Sequence, residues 1–171
     1  SFLEGASREG FLSAMNVSVY SYIAMAKRMV PLMAGHKASL LTLSYLGGEK
    51  VVPNYNTMGL CKAALESATR YIAADIGPQG TRANTLSCGP IKTLAASGIK
   101  GFSSMLAQCK AVSPSRSLVS IDEVGNTAAF LLSDYSLGIT AETIYIDGGF
   151  NALACCVDQA CLLYTSDAAD E

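Results

Sequence analysis

Two phenols and an amine lie close together near the middle of the sequence, Tyr45, Tyr55 and Lys62. Below its usual pKa near 10 a phenol is a neutral hydrogen-bond donor, and an ammonium is a compact positive charge. Together they can present donors and positive potential to one ligand. Tyr55 and Lys62 are seven residues apart, which is about two turns, or roughly 10 Å along a helix axis. On a helix both therefore point to one side. Tyr45 follows Ser44 at the end of an apolar run, so the three groups can meet where a strand stops and a helix starts. In open α/β sheets that crevice, outside the carboxyl ends of the strands, is where ligands bind.

The elements that must position them read as follows. Leu40, Leu41 and Leu43 form a nearly continuous apolar run, the pattern of a strand covered on both faces. Gly47 and Gly48 break it. A helix is expected from Pro53-Asn54, with Asn54 as N-cap, to the Gly77-Pro78 stop signal. Met58, Cys61, Leu65, Ala68, Ile72 and Ile76 mark its apolar face. Before the strand, residues 1 to 35 read mostly as one helix, capped by Ser7 and weakened at Val17–Tyr22 by β-branched residues. Its apolar stripe is Phe11, Ala14, Val19, Tyr22, Met25, Met29 and Leu32. His36, the single histidine, falls in a solvated turn.

After the central helix, Ala83–Cys88 is a short strand stopped by Gly89-Pro90. Thr93, followed by small residues entering a helix, suits contact with an anion. Residues 96 to 112 form an oily, glycine-bearing segment. Ser120 and Glu123 make a capping box for a further helix buried through Val124, Ala128, Leu131 and Leu132. Glu142–Asp147 reads as the last strand, turned off by Gly148-Gly149.

Tyr45, nine intervening residues, Tyr55, six more, then Lys62 resembles the NADH-dependent enoyl-acyl-carrier-protein reductases of bacterial fatty-acid synthesis. These are a divergent branch of the short-chain dehydrogenase/reductases. The LLTLSYLG, PNYNTMG and GPIKTLAASGI blocks resemble that branch too, and the likeness runs to about Ala154. Ordinary superfamily members place the lysine four residues after the tyrosine. The resemblance implies an α/β fold, the C-terminal part of a Rossmann-like doubly wound parallel sheet with helices on both faces. It implies reduction of a trans-2-enoyl thioester on acyl carrier protein by NADH. Tyr55 would stabilise the enolate, Lys62 would hold the nicotinamide ribose, and Tyr45 would line the thioester site. Ile91, Lys92, Thr93, Leu94 and Ala95 would contact the NAD cofactor. Met58, Ala95, Ile99 and Phe102 would border the acyl chain beside Tyr45. It further implies a homotetramer built on the long helices.

Composition bounds the alternatives. Half of the 171 residues are hydrophobic, 15% are charged and the net charge is −2, so no basic footprint for nucleic acid or an anionic membrane exists. No apolar run reaches the length of a membrane span. The six cysteines lack metal-type spacing and, with no secretory signal, read as reduced cytoplasmic thiols. No strand, Gly-rich turn and helix unit for a pyrophosphate is present. Residues 1–154 are thus expected to be the later part of one reductase domain, inactive without its nucleotide-binding half. Residues 155–171 are expected to be a non-native or disordered tail, because Cys161–Glu171 matches a translated sequencing adaptor. Two rivals stay open. One is a carbonyl-reducing short-chain dehydrogenase, the other a truncated polypeptide that only associates with partner subunits.

Overall fold

The structure is a computed structural model that describes residues 1–91 and 102–153, without the side chain of Phe102. The chain opens with α1 (Phe2–Gly5) and α2 (Arg8–Met15), the latter capped by Ser7, whose Oγ accepts from Gly10 N at 3.0 Å. A π-helical turn, Asn16–Tyr20, joins α2 to α3 (Ser21–Met33). It falls on the β-branched stretch where helix propensity is weakest. The buried stripe differs from the expected one. Val19, Tyr22 and Ala26 are buried, whereas Met25 and Leu32 are 54% and 73% exposed. The π turn adds a residue to the turn and rotates the face that meets the body.

Three parallel strands follow in the order β1 (Ser39–Ser44), β2 (Arg82–Cys88) and β3 (Thr143–Ile146). Ser39 pairs with Arg82 and Ser44 with Ser87, while Thr85 pairs with Thr143 and Cys88 with Ile146. The crossover between β1 and β2 is α4 (Thr57–Ile76). Between β2 and β3 lie α5 (Phe102–Val112) and α6 (Ile121–Leu132). The strand buried along its length is β2. In contrast, β1 is the edge of the described sheet, and Leu43 is 53% exposed. Its leucine run is thus not the doubly covered strand that its composition suggests.

Strand β2 shows how two helix layers are held. Its side chains alternate between faces. Ala83 packs with Ala73 and Ile76 of α4, and Thr85 Oγ1 donates to Thr69 Oγ1 of α4 at 2.9 Å. Arg82 and Asn84 point the other way. The Arg82 guanidinium donates to the Leu131 and Ser133 carbonyls at 2.9 and 3.0 Å, at the C-terminal end of α6. Asn84 Nδ2 donates to Ile139 O at 2.8 Å, and its Oδ1 accepts from Glu142 N at 3.1 Å. Helix α4 thus covers one face and α6 the other. A cation at the last turn of α6 also meets the negative end of the helix dipole.

Helix α4 starts at Thr57, later than expected, because Asn54 and Asn56 take left-handed backbone at φ 67° and 49°. Its buried stripe is Cys61, Leu65, Thr69, Ala73 and Ile76. Thr69 belongs there because its hydroxyl is bonded on both sides, to Leu65 O and Thr85 Oγ1. Helix α6 carries the expected capping box, with Glu123 N on Ser120 Oγ and Ser120 N on Glu123 Oε2. Leu131 is buried, but Leu132 is 52% exposed and does not belong to the core face.

Arg82 is 5% exposed and donates to the carbonyls of Leu131, Ile139 and Ser133. Arg82→Met should destabilise the chain by about 2–4 kcal/mol in urea unfolding, because buried carbonyls lose their donors. Arg82→Lys should fall between the two, since it keeps the charge and loses the fork.

Candidate active site

Strand β1 ends at Ser44, and Tyr45 continues in extended backbone at φ −151°, ψ 150°. The chain then tightens into a short turn, Leu46–Gly48, with Gly48 N donating to Tyr45 O at 2.9 Å. The two left-handed asparagines fold the following loop back, so that the Tyr55 ring lies over Gly47. The Tyr45 and Tyr55 rings meet edge to face, centroids 4.9 Å apart at 70°. Lys62, on α4, donates from Nζ to Leu43 O at 2.9 Å. All three side chains therefore gather at the carboxyl end of β1.

Two glycines permit this approach. A Cβ on Gly47 would lie 2.3 Å from Cδ1 of Tyr55, and one on Gly59 would lie 2.6 Å from Gly47 O. The first turn of α4 thus touches the turn after β1, backbone to backbone. The motif reading passed over both positions, taking Gly47 as a strand breaker only.

Burial sets the ionisation of the cluster. It pushes Tyr55 up to about 12, with the neighbouring Tyr45 and Cys61 adding to the rise. Tyr45 is raised as well, by burial first and then by Cys109. Both phenols are neutral donors at neutral pH. Burial pulls Lys62 below its ordinary value, and Cys88, Cys61 and Glu66 pull it partly back. The site is a pair of protonated phenols beside a partly desolvated ammonium. It can donate to an oxygen that gains negative charge.

Beside Tyr45 opens a cavity of about 340 Å³, walled chiefly by apolar side chains including Val52, Met105, Val112, Phe150 and Leu153. Its far wall is held by Asp147, which is 8% exposed. The Asp147 carboxylate accepts from Gly149 N, Asn151 N and Asn151 Nδ2 at 2.9, 2.7 and 3.0 Å. Lys50 reaches across to Asn151 O, and Tyr145 to Glu49, tying this turn to the one after β1. The Asp-Gly-Gly signal marks such a side-chain-bonded turn, but the walls come from four separate segments and carry no joint signal.

Of the expected acyl-chain residues, Tyr45 lines the cavity, whereas Met58, in the first turn of α4, is not among its lining residues. Ile91 leaves β2 after Gly89, whose N–H donates to Ile146 O at 2.7 Å, and is half-buried at the same edge of the sheet. Lys92, Thr93, Leu94, Ala95 and Ile99 lie outside the described residues, as does the Phe102 side chain. Among the described residues no cluster of three metal-ligating side chains occurs, and no helix is long and apolar enough to cross a membrane.

A parallel sheet between two helix layers, with Tyr45, Tyr55 and Lys62 gathered outside the strand ends, is a Rossmann-like α/β arrangement with its candidate site where such folds bind ligands. Comparison with known proteins narrows this. A family model described as enoyl-(acyl carrier protein) reductase matches residues 1–151, and the chain belongs to that family. It is 54% identical over 153 residues to the NADH enoyl-acyl-carrier-protein reductase FabI of Escherichia coli (strain K12), covering 90% of this chain and 58% of that protein. The corresponding Bacillus subtilis (strain 168) enzyme is 48% identical over 148 residues, 86% of this chain and 57% of that protein. Among solved structures, the Aquifex aeolicus VF5 NADH reductase superposes with TM-score 0.84 at 48% identity, covering 88% and 59% of the two chains. The Bacillus cereus reductase with NADP+ and indole naphthyridinone gives 0.87 at 44%, covering 91% and 60%. The chain thus spans somewhat over half the length of the relatives it matches.

The buried phenols predict the response to base. Tyr55 should stay neutral while exposed phenols ionise, and titrate near 12 in an ultraviolet difference titration. Its ionisation is linked to folding with a definite sign. The contribution is complete below the ordinary value of 10.0 and is lost as pH rises from there toward 12. Gly47→Ala should displace the Tyr55 ring, cost about 1–3 kcal/mol and bring the Tyr55 midpoint down toward that of exposed tyrosines.

Proposed function

We propose that these residues form the catalytic part of an NADH-dependent enoyl-acyl-carrier-protein reductase. The observation that carries the reading is the edge-to-face Tyr45–Tyr55 pair beside Lys62, at the strand ends and next to an apolar cavity. The substrate is a trans-2-enoyl thioester on acyl carrier protein. Its apolar chain enters the cavity and its thioester oxygen faces the Tyr55 hydroxyl.

The described residues fit the nicotinamide end of a dinucleotide. Lys62 presents an ammonium at the carboxyl end of β1, and the backbone of Ile91 leaves β2 at the same edge. Lys62 would hold the ribose hydroxyls and Ile91 the carboxamide, with Lys92, Thr93, Leu94 and Ala95 completing the wall. When bound there, the nicotinamide would supply the hydride that adds to the β-carbon. Negative charge then develops on the thioester oxygen. Tyr55, kept protonated by burial, donates to that oxygen and so lowers the barrier. Lys62 adds positive potential. Tyr45 braces the Tyr55 ring from its edge and closes the thioester end of the cavity. A carbonyl reductase would use the four-residue Tyr–Lys step, and the seven-residue step here favours the enoyl substrate.

We further propose that residues 1–154 share one domain with a nucleotide-binding part carried outside this sequence, and that the protein works in the cytoplasm. The relatives extend well beyond the matched region, which supports the division. A homotetramer is proposed through the first helices, whose outer side exposes Leu12, Val17, Met25 and Leu32.

The 171-residue chain alone should bind NADH weakly or not at all by calorimetry. Joined to the nucleotide-binding part of the Escherichia coli relative, it should oxidise NADH with a crotonyl thioester. In that protein Tyr55→Phe should lower kcat about 10²–10³-fold with little change in KM. Turnover of an acetoacetyl thioester in place of the enoyl one would reject the reading. Sedimentation of the joined protein should give a tetramer, and a monomer would reject the proposed assembly.

A further inference from the structure

Glu66 stands one helical turn beyond Lys62 on α4, so the two share a face. Ser44 Oγ donates to Glu66 Oε1, and Ser44 is 5% exposed. Ser44 is the last residue of β1 and follows Leu43, whose carbonyl accepts from Lys62 Nζ at 2.9 Å. Consecutive turns of α4 therefore attach to consecutive residues at the end of one strand. One attachment is cationic and the other anionic.

We propose that Glu66 is a positioning residue for Lys62. With Ser44 it fastens α4 to the end of β1 and holds a fixed negative charge beside the ammonium, which keeps Lys62 charged and in place at the strand ends. The importance of this for turnover rests on the reading of Lys62 given above. The attachment itself does not.

The other groups that face Lys62 cannot do this at neutral pH. Cys61 on α4 and Cys88 on β2 are thiols raised chiefly by burial, and they carry no charge there. Tyr145 of β3 acts on the same region, but its phenol is raised by burial and by bonding to Glu49, and it is neutral too. Tyr45 and Tyr55, on the loop side, are protonated. Among the described groups acting on Lys62, Glu66 is the one carboxyl group. Burial alone would drive the amine toward its neutral form, and a nearby carboxylate opposes that.

The full chain, labelled at its lysine side chains, tests the proposal by carbon NMR titration, with Lys62 assigned through Lys62→Arg. Glu66→Gln keeps an acceptor for Ser44 Oγ and removes only the charge. It should shift the Lys62 midpoint downward. Ser44→Ala releases the carboxylate and should shift it in the same direction, by less. An unchanged midpoint in Glu66→Gln, with the far-ultraviolet dichroism of the parent, overturns the proposal. Should Glu66→Gln not fold, Ser44→Ala decides, and an unchanged midpoint there overturns it equally. The readout is the ionisation of one amine, so it stands or falls separately from any reductase activity.

Discussion

The close approach of α4 to the carboxyl end of β1 is the constraint on which the rest of the site depends. It is a contact of backbone with backbone. Gly59 lies against the carbonyl of Gly47, and the Tyr55 ring lies against Gly47 itself. A side chain at Gly59 would meet the Gly47 backbone and press the helix away from the strand end, and one at Gly47 would displace the Tyr55 ring. Lys62 could then no longer reach the Leu43 carbonyl, and the Tyr55 ring would lose its seat against Tyr45. The catalytic role proposed for this cluster requires a geometry that tolerates little displacement. Here it is secured by the absence of side chains.

The sheet behind the site is held by an unusual centre for a buried strand. Strand β2 carries Arg82, Asn84, Thr85 and Ser87, all nearly inaccessible to solvent. Thr85 bonds α4, Arg82 bonds the end of α6, and Asn84 bonds the segment that leads into β3. Apolar packing fills the spaces between them. Leu86 and Leu131 are almost wholly buried, and each contributes about 1.5–3 kcal/mol. The polar bonds fix which helix sits where, while the leucines supply the drive to collapse.

Much of this was legible in the residue pattern, and the errors are instructive. The Tyr45, Tyr55 and Lys62 spacing predicted a shared neighbourhood, but not by the expected route: Tyr55 precedes α4, and the loop around Asn54 and Asn56, not helical periodicity, brings its ring to Tyr45. The Ser7 cap and the Ser120–Glu123 capping box were legible because capping is a local property. The apolar run of β1 suggested a doubly covered strand, but full burial fell to β2, whose polar residues hide it from a hydropathy reading. The stripe of the first helices shifted because a π turn rotated the later part. The start of α4 moved because two asparagines adopted left-handed backbone. The cavity beside Tyr45 is lined by segments far apart in sequence, and Met58, which the family resemblance sets beside the acyl chain, is not among its lining residues.

The sequence by itself determined the chemistry available, the order of strand and helix, the capping signals and the family. These depend on residue type and on the order and spacing of residues along the chain. Tertiary structure alone decided that Phe150 and Leu153 face Tyr45 across a cavity, that Lys50 reaches Asn151, and that Glu66 meets Ser44 beside Lys62. Those contacts join positions from 22 to more than 100 residues apart. No local periodicity records them, because they follow from how the layers stack and not from any single element.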